Sequence, residues 1–370
     1  MSTKICHITS IHRRYDVRIF RKQCQSLYKA GYDVSLVVAD GKGDEIKDGI
    51  KIYDAGKFEG RFNRMVNAAK SVGKRALELD CEVYHFHDPE LIFAGLKIKK
   101  AGKKVIFDMH ENIPADIDEK SYIPSVFRKI ISFAYSKLEI YTVKRIDAVV
   151  STRESINERL QKYTRNIEII TNFPIADQQI EKHQTGKKEI CFAGIISPKF
   201  GHKQIINAVE NIPGITYHLV GEAVEPYLEE LKTLPGWKNV QYEGHIPFEK
   251  VKEMYSEASI GVAVYAYSKN FDGKLGNLAI VKLFEYMNWG IPVICTDFKV
   301  WKEIVEEEVQ CGITVNPDNE EDIRNAVQYI LDNPEKAKQM GENGRKAVLE
   351  KYNWETQARK LRDLYKKVLR

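Results

Sequence analysis

The chain has 370 residues, 43% hydrophobic and 29% charged. That length suits two domains, each able to bury its own core, and the composition excludes a fibrous or disordered protein. The net charge of +5 is uneven: 31 Lys and Arg against 23 Asp and Glu give +8 over residues 1–172, and the remainder carries −3.

No apolar run approaches the roughly 20 residues that span a bilayer. The opening MSTKICHITSI lacks a signal peptide's long apolar core, so a cytoplasmic location is expected. Six cysteines are scattered without a C-x-x-C pair, which argues against a disulfide framework or a zinc site.

In chain order, short β-rich runs alternate with helical patterns. The first half offers strands at KICHITS (4–10), DVSLVVA (33–39), IKIYDA (50–55), EVYHFH (82–87), KVIFDMH (104–110), DAVVST (147–152) and IEIITN (167–172). Helical patterns lie between them at 16–30, 60–79, 89–101 and 124–144. A polar, aperiodic join over 172–188 follows. The second half repeats the scheme with EICFAGI (189–195), TYHLVG (216–221), VQYEGH (240–245), IGVAVYAY (260–267), IPVICT (291–296) and GITVN (312–316). Three helical segments close the chain, the last being NWETQARKLRDLYKKVLR (353–370). Apolar strands separated by helices predict two doubly wound α/β domains with parallel sheets.

Such sheets bind ligands beyond the carboxyl ends of their strands. After KICHITS come His12, Arg13, Arg14, Asp16 and Arg18. The absence of G-x-G-x-x-G there argues against a nicotinamide or flavin enzyme, while the arginines suit an anionic acceptor. His85 and His87 form H-x-H, with both rings predicted on one side of the strand. Further ligands at suitable spacing are missing, so no metal is expected, and His87 and Asp88 are read as substrate contacts. His110 closes the next strand, where an imidazole suits either acid–base work or tying down a loop. The DID at 116–118 reads as a solvated loop.

In the second half, CFAGIISPKFGHK (191–203) places Gly194, Lys199 and Gly201 between a strand and a helix, a pattern suited to an anion. LVGEAVE (219–225) repeats strand, glycine and acid around Gly221. VKLFEYMNWGIPVI (281–294) predicts a helix starting near Asn277 to Ala279, with Glu285 about two turns inside and Gly290 ending it. There Glu285 could accept hydrogen bonds from a ribose diol while the helix start receives a phosphate.

Two segments concentrate the basic excess. Residues 57–75 hold six basic residues and one acid, and residues 125–145 hold five and one among Phe, Ile and Tyr. Each is either a solvated helix face or a surface for phosphates or an anionic membrane. No nucleic-acid motif accompanies the charge, and no nucleic-acid partner is expected.

With KLFEYMNWGIPVICTDF, in which Glu, five residues later Gly, and then x-Pro-Val recur, the chain resembles the retaining glycosyltransferases of the GT-B fold, of the family-4-like type found in bacterial polysaccharide biosynthesis. DMHENIP, HFHDPEL, HRRYDVRIFRK and the tryptophan-bearing last helix match more weakly. The resemblance implies a GT-B architecture of two Rossmann-like domains facing a central cleft. Residues 1–172 would bind the acceptor, 173–352 the nucleotide sugar, and the helix 353–370 would return to the first domain. It implies sugar transfer with retention from a nucleotide diphosphate sugar to a saccharide or lipid-linked acceptor, with no metal or other cofactor, at the inner face of the cytoplasmic membrane.

Residue by residue, the resemblance implies that His110 contacts the donor sugar near the reacting carbon and that Lys199 neutralises the diphosphate. Glu285 would bind the ribose hydroxyls, and Lys282, Asn277, Leu278, Gly194, Gly221 and His245 would complete the donor side. Arg14, Asp16, Arg18, His87 and Asp88 would face the acceptor. Three departures stand out. Asn277 replaces a second glutamate, Leu278 to Ile280 replace glycines, and of the basic pair the first position holds Ile195 while the second aligns nearer Phe200 than Lys199, for which Lys282 would compensate. They keep open a catalytically silent nucleotide-sugar-binding subunit and, within the same fold, a nucleotide-sugar epimerase.

Overall fold

The computed structural model describes residues 2–120, 123–177, 179–180 and 186–370. Part of the expected join, at 178 and 181–185, lies outside the described residues. The chain forms two compact units, Met1–Asn172 with Trp354–Arg370, and Phe173–Asn353.

The first unit holds eight strands: β1 (Lys4–Ile8), β2 (Asp33–Val38), β3 (Glu45–Lys47), β4 (Ile50–Asp54), β5 (Val83–Phe86), β6 (Lys104–Met109), β7 (Ala148–Ser151) and β8 (Ile167–Ile169). They are ordered β3-β4-β2-β1-β5-β6-β7-β8. Every pairing is parallel except β3 with β4. The β3 strand is absent from the sequence reading, although Asp48-Gly49, both with positive φ, is the residue pair a tight hairpin turn requires.

Alternation along β1 sends Ile5 to one face of the sheet and Cys6 and Ile8 to the other, and each face has its own buried cluster. The helix Trp354–Leu369 covers the face bearing Ile5. Its buried residues Trp354, Ala358, Leu361, Tyr365 and Val368 recur every three or four positions, the spacing that keeps one helical side against a core. Trp354 Nε1 donates to Ser26 Oγ at 2.8 Å, and Gln357 Oε1 accepts from the Thr171 amide at 3.0 Å.

Within the first unit lies a buried polar network. Asp108, fully buried on β6, accepts from Arg18 Nε at 2.9 Å and Nη2 at 2.8 Å, and from Gln23 Nε2 at 2.7 Å. Arg18 also donates to the Ile170 carbonyl at 3.0 Å. Burial alone would raise the Asp108 pKa, but Arg18 and His87 hold it well below the usual carboxylate range.

The second unit holds β9 (Lys188–Ala193), β10 (Ile215–Val220), β11 (Val240–Gly244), β12 (Ile260–Ala263), β13 (Val293–Thr296) and β14 (Gly312–Val315). Their order is β11-β10-β9-β12-β13-β14, all parallel. The strand expected over 260–267 stops at Ala263. Beyond it the Tyr265 amide donates to Thr296 Oγ1 and its carbonyl accepts from the same hydroxyl, at 2.6 and 2.8 Å. That side-chain exchange takes the place of a strand ladder.

Removing the guanidinium would leave a buried carboxylate uncompensated. Arg18→Ala is expected to lower the unfolding free energy by about 3–5 kcal/mol, measured by urea denaturation. Burial would then raise the Asp108 pKa, so the loss should grow from mildly acidic to neutral pH as that carboxyl ionises.

Candidate functional site

In the second unit the candidate residues gather where β9 and β10 end. Gly194 directly follows β9, and its amide donates to the Val220 carbonyl at 2.9 Å. Gly221 follows β10 with φ +137°, and its amide donates to the Gly244 carbonyl at 2.7 Å. A Cβ on Gly221 would lie 1.7 Å from the Gly194 carbonyl oxygen. Only glycine at 221 permits these backbones to touch.

A Cβ on Gly194 would come 3.5 Å from Lys282 Cε, so the lysine stem lies along this glycine. Lys282 Nζ donates to Glu285 Oε2 at 2.6 Å, and the buried Tyr255 hydroxyl donates to the same oxygen at 3.2 Å. The Glu285 side chain is 32% exposed, and Oε1 makes no hydrogen bond among the described residues. One carboxylate oxygen is thus anchored and the other is left to accept. Lys199 sits partly buried in the loop between β9 and the helix His202–Val209, and its carbonyl accepts from the Ala266 amide at 3.0 Å. His245 is exposed just beyond β11.

The helix carrying Glu285 differs from expectation. It runs Lys282–Asn288, so Glu285 lies in its first turn and not two turns inside. The reason is Asn277. Its Oδ1 accepts from the Ala279 amide at 3.0 Å, its Nδ2 donates to Asp272 Oδ2 at 3.0 Å, and its carbonyl accepts from Trp301 Nε1 at 2.9 Å. The chain is held in a turn through Ala279, and the expected helix-start phosphate site at 277–279 is absent there. Asn277 is buried and structural in these bonds, and Leu278 packs against the apolar core.

In the first unit the five residues expected to meet an acceptor are all engaged internally. Arg14 donates to Asp40 through Nε at 2.8 Å and Nη2 at 2.6 Å, and to Glu45 at 2.5 Å. Asp16 caps a helix, accepting from the Arg18 and Ile19 amides at 2.8 Å each. Arg18 holds Asp108. His87 is buried, with Nδ1 3.2 Å from Asp108 and Nε2 sharing a 2.9 Å hydrogen bond with His7 Nδ1. Asp88 is fully buried and accepts from Thr9 Oγ1 at 2.8 Å and Ser10 Oγ at 3.1 Å.

The H-x-H pair gains a third imidazole that sequence reasoning missed. Parallel pairing sets His7 of β1 beside His85 of β5, and ring nitrogens of His7, His85 and His87 come within 4.8 Å of one another. They are linked to each other, to Asp108 and to the Tyr365 hydroxyl, which lies 2.9 Å from His85 Nδ1 and 3.3 Å from His7 Nε2. Burial foremost pushes His7 and His85 well below the usual imidazole range, so both are neutral.

His110 follows β6, and its Nδ1 is buried with no hydrogen-bond partner among the described residues. Burial lowers its pKa, which leaves it a neutral hydrogen-bonding group at pH 7. Its ring stands edge-on to His12, centroids 5.2 Å apart.

Two α/β units built on mainly parallel sheets are the architecture of the GT-B fold, and comparison with known proteins finds that fold among its structural neighbours. Residues 175–347 match the model of the glycosyl transferases group 1 family, and residues 17–173 match that of Glycosyltransferase Family 4. Each model matches less than half of the chain, so each half by itself is similar to a glycosyltransferase family. It is 24% identical over 296 residues to an uncharacterised glycosyltransferase of Methanocaldococcus jannaschii, covering 75% of this chain and 71% of that one. It is 22% identical over 287 residues to the D-rhamnosyltransferase WbpZ of Pseudomonas aeruginosa, covering 74% and 70%. Among solved structures, sucrose-phosphate synthase from Thermosynechococcus elongatus superposes with a TM-score of 0.76 at 16% identity over 99% of both chains. Anabaena HepE in complex with UDP and glucose gives 0.71 at 14% identity over 98% of this chain and 99% of its own.

Because the Gly194–Gly221 approach leaves no room for a methyl group, Gly221→Ala is expected to lower the thermal midpoint by at least about 4 °C. His245→Ala, at an exposed position, should leave it unchanged. Differential scanning fluorimetry of the two variants checks both.

Proposed function

We propose that this protein transfers a sugar, with retention, from a nucleoside diphosphate sugar to a hydroxyl of a saccharide or lipid-linked acceptor, using no metal, in the synthesis of a cell-surface polysaccharide. The observation that carries the donor side is the Glu285 carboxylate, with one oxygen fixed by Lys282 and Tyr255 and the other open. A carboxylate so held is prepared to accept from a vicinal diol such as ribose. Lys282 beside Gly194, together with Lys199, supplies positive charge for the diphosphate. Charge already in place as the leaving oxygens become negative lowers the barrier without reorganisation. His110, neutral and with a buried nitrogen that has no partner among the described residues, supports the donor sugar by hydrogen bonding. UDP is the first nucleotide to test, since HepE has been solved with it.

The reading also places the acceptor side at an anionic membrane surface. The helix Ser125–Val143 leaves Val126, Phe127, Ile130 and Phe133 between 58% and 66% exposed, with Ile131 at 43%. Lys129 and Lys137 are exposed among them. The one acid on the helix, Glu139, is buried and paired with Arg159, so the outward face is apolar and positive. That combination suits the headgroup boundary of an anionic bilayer. Phe62 and Met65, exposed beside Arg64 in the 57–75 segment, repeat the pattern.

UDP and nucleotide sugars are expected to raise the thermal midpoint of the wild type. Glu285→Ala should weaken the selected nucleotide at least roughly tenfold, the loss of a charged hydrogen bond. Binding without any release of diphosphate would instead identify a silent nucleotide-sugar-binding subunit, the reading that buried Asn277 and exposed Ile195 favour. Donor turnover without acceptor to an epimeric sugar would identify an epimerase.

In vesicle flotation, the chain should bind phosphatidylglycerol vesicles in preference to phosphatidylcholine and release as salt rises. Lys129→Ala and Lys137→Ala should each weaken binding by about fivefold, matching about 1 kcal/mol per basic residue. Phe127→Ser with Phe133→Ser should abolish it.

A further inference from the structure

Strand pairing in the first sheet assembles a group of side chains that no single segment of the sequence contains. His85 lies on β5 and His87 just beyond its end, two positions apart, so both fall on one face of the sheet. Parallel register sets His7 of β1 beside His85, on the face whose apolar cluster includes the helix Trp354–Leu369. All three imidazoles are at most 1% exposed. One nitrogen from each comes within 4.8 Å of the other two.

The outer nitrogens of the three rings have outer partners. His87 Nδ1 faces the Asp108 carboxylate at 3.2 Å. The Tyr365 hydroxyl stands 2.9 Å from His85 Nδ1 and 3.3 Å from His7 Nε2. That leaves His7 Nδ1, His87 Nε2 and His85 Nε2. The first two lie 2.9 Å apart and share one proton. His85 Nε2 is buried with no hydrogen-bond partner among the described residues.

Proton counting shows what that last nitrogen is. A carboxylate only accepts, so His87 Nδ1 carries a proton. With neutral rings the donors then run one way. His7 Nδ1 donates to His87, the Tyr365 hydroxyl to His7 Nε2, and His85 Nδ1 to the Tyr365 oxygen. The chain ends on a bare lone pair at His85 Nε2. A buried acceptor without a donor needs an occupant that the side chains do not supply. Histidines whose far nitrogens are tied to a carboxylate and a hydroxyl, with the near ones gathered together, form the outer and inner shells of a metal site.

We propose that His7, His85 and His87 bind a divalent transition-metal ion, zinc foremost, through His7 Nδ1, His85 Nε2 and His87 Nε2. Imidazole nitrogen suits zinc and its neighbours, whereas magnesium and calcium take oxygen. The ion takes the place of the proton between His7 and His87. That proton moves to His7 Nε2 and is given to Tyr365, whose oxygen has two lone pairs and accepts from His85 as well. Nitrogens about 2.0–2.1 Å from zinc at tetrahedral angles stand about 3.4 Å apart. The His7–His87 pair would open by about 0.5 Å, and a pair at 4.8 Å would close by about 1.4 Å.

None of the three rings is among the groups assigned above to sugar transfer, so the ion is structural and the transfer itself still uses none. It ties β1 to β5 and reaches the C-terminal helix through Tyr365. Rings this deeply buried take the ion as the chain folds.

The test uses the full chain, produced in cells grown with zinc and, separately, with cobalt in zinc-depleted medium. Dialysis against EDTA then strips ions from the surface. Elemental analysis should find about one zinc per chain, and the zinc-loaded protein should melt higher than protein from zinc-depleted cells. The cobalt form should show the strong visible bands of a low-coordinate ion. His85→Leu removes one ligand and should retain no metal. Tyr365→Phe keeps all three ligands and loses an outer partner, so it should still bind, roughly tenfold or more weakly.

A wild type that keeps neither zinc nor cobalt, metal retained equally in His85→Leu, or the faint spectrum of six-coordinate cobalt would overturn the proposal. If His85→Leu does not fold, the cobalt spectrum of the wild type decides alone. None of these results bears on the sugar-transfer reading.

Discussion

A carboxylate shut away from water organises the first unit. Asp108 carries its charge at full burial, which is tolerable only because Arg18, Gln23 and His87 all donate to it. Arg18 comes from the helix that follows β1, His87 from the end of β5, and Asp108 itself from β6. Satisfying one charge therefore fixes one helix against two strands. His87 passes the constraint to His7, and Tyr365 of the C-terminal helix closes the chain of bonds. The loop bearing Thr9, His12 and Asp16 is held between these fixed points.

The second unit achieves order differently. Its strand ends carry glycines whose backbones approach too closely for any side chain, and the space above them is bordered by Lys282. Glu285 is steadied by that lysine and by a buried tyrosine hydroxyl, so its geometry is set before a ligand arrives. Preorganised polar groups cost nothing further at the moment of binding. The first unit thus concentrates buried imidazoles and carboxylates, whereas the second presents open backbone and a partly exposed ion pair.

Charge distribution follows the same division. The basic excess of the first unit is carried partly by the helix Ser125–Val143, whose single acid is turned inward onto Arg159. Burying that acid makes the exposed face more positive than a count along the helix suggests. The exposed phenylalanines beside it have no place in either core cluster of the first unit, so their sequence period alone gave no sign of which way they face.

Much of the architecture was legible in the order of residues. Alternating β-rich and helical runs determined two parallel α/β sheets, because apolar strands without an alternating polar face must be covered on both sides. The motif around Glu285 pointed for the same local reason to a helix ended by Gly290 and followed at once by a strand. The short strand β3 was missed, since three residues carry too little periodicity to register. Tertiary structure alone decided the rest. Only strand pairing could bring His7 beside His85 across nearly eighty residues. Only the bonds of Asn277 could delay the helix that carries Glu285. Arg14, Arg18 and His87 look like ligand contacts in a linear chain, because sequence shows a side chain's chemistry and not its partners. Folding spent Arg18 and His87 on the buried Asp108, and Arg14 on the half-buried Asp40 and Glu45.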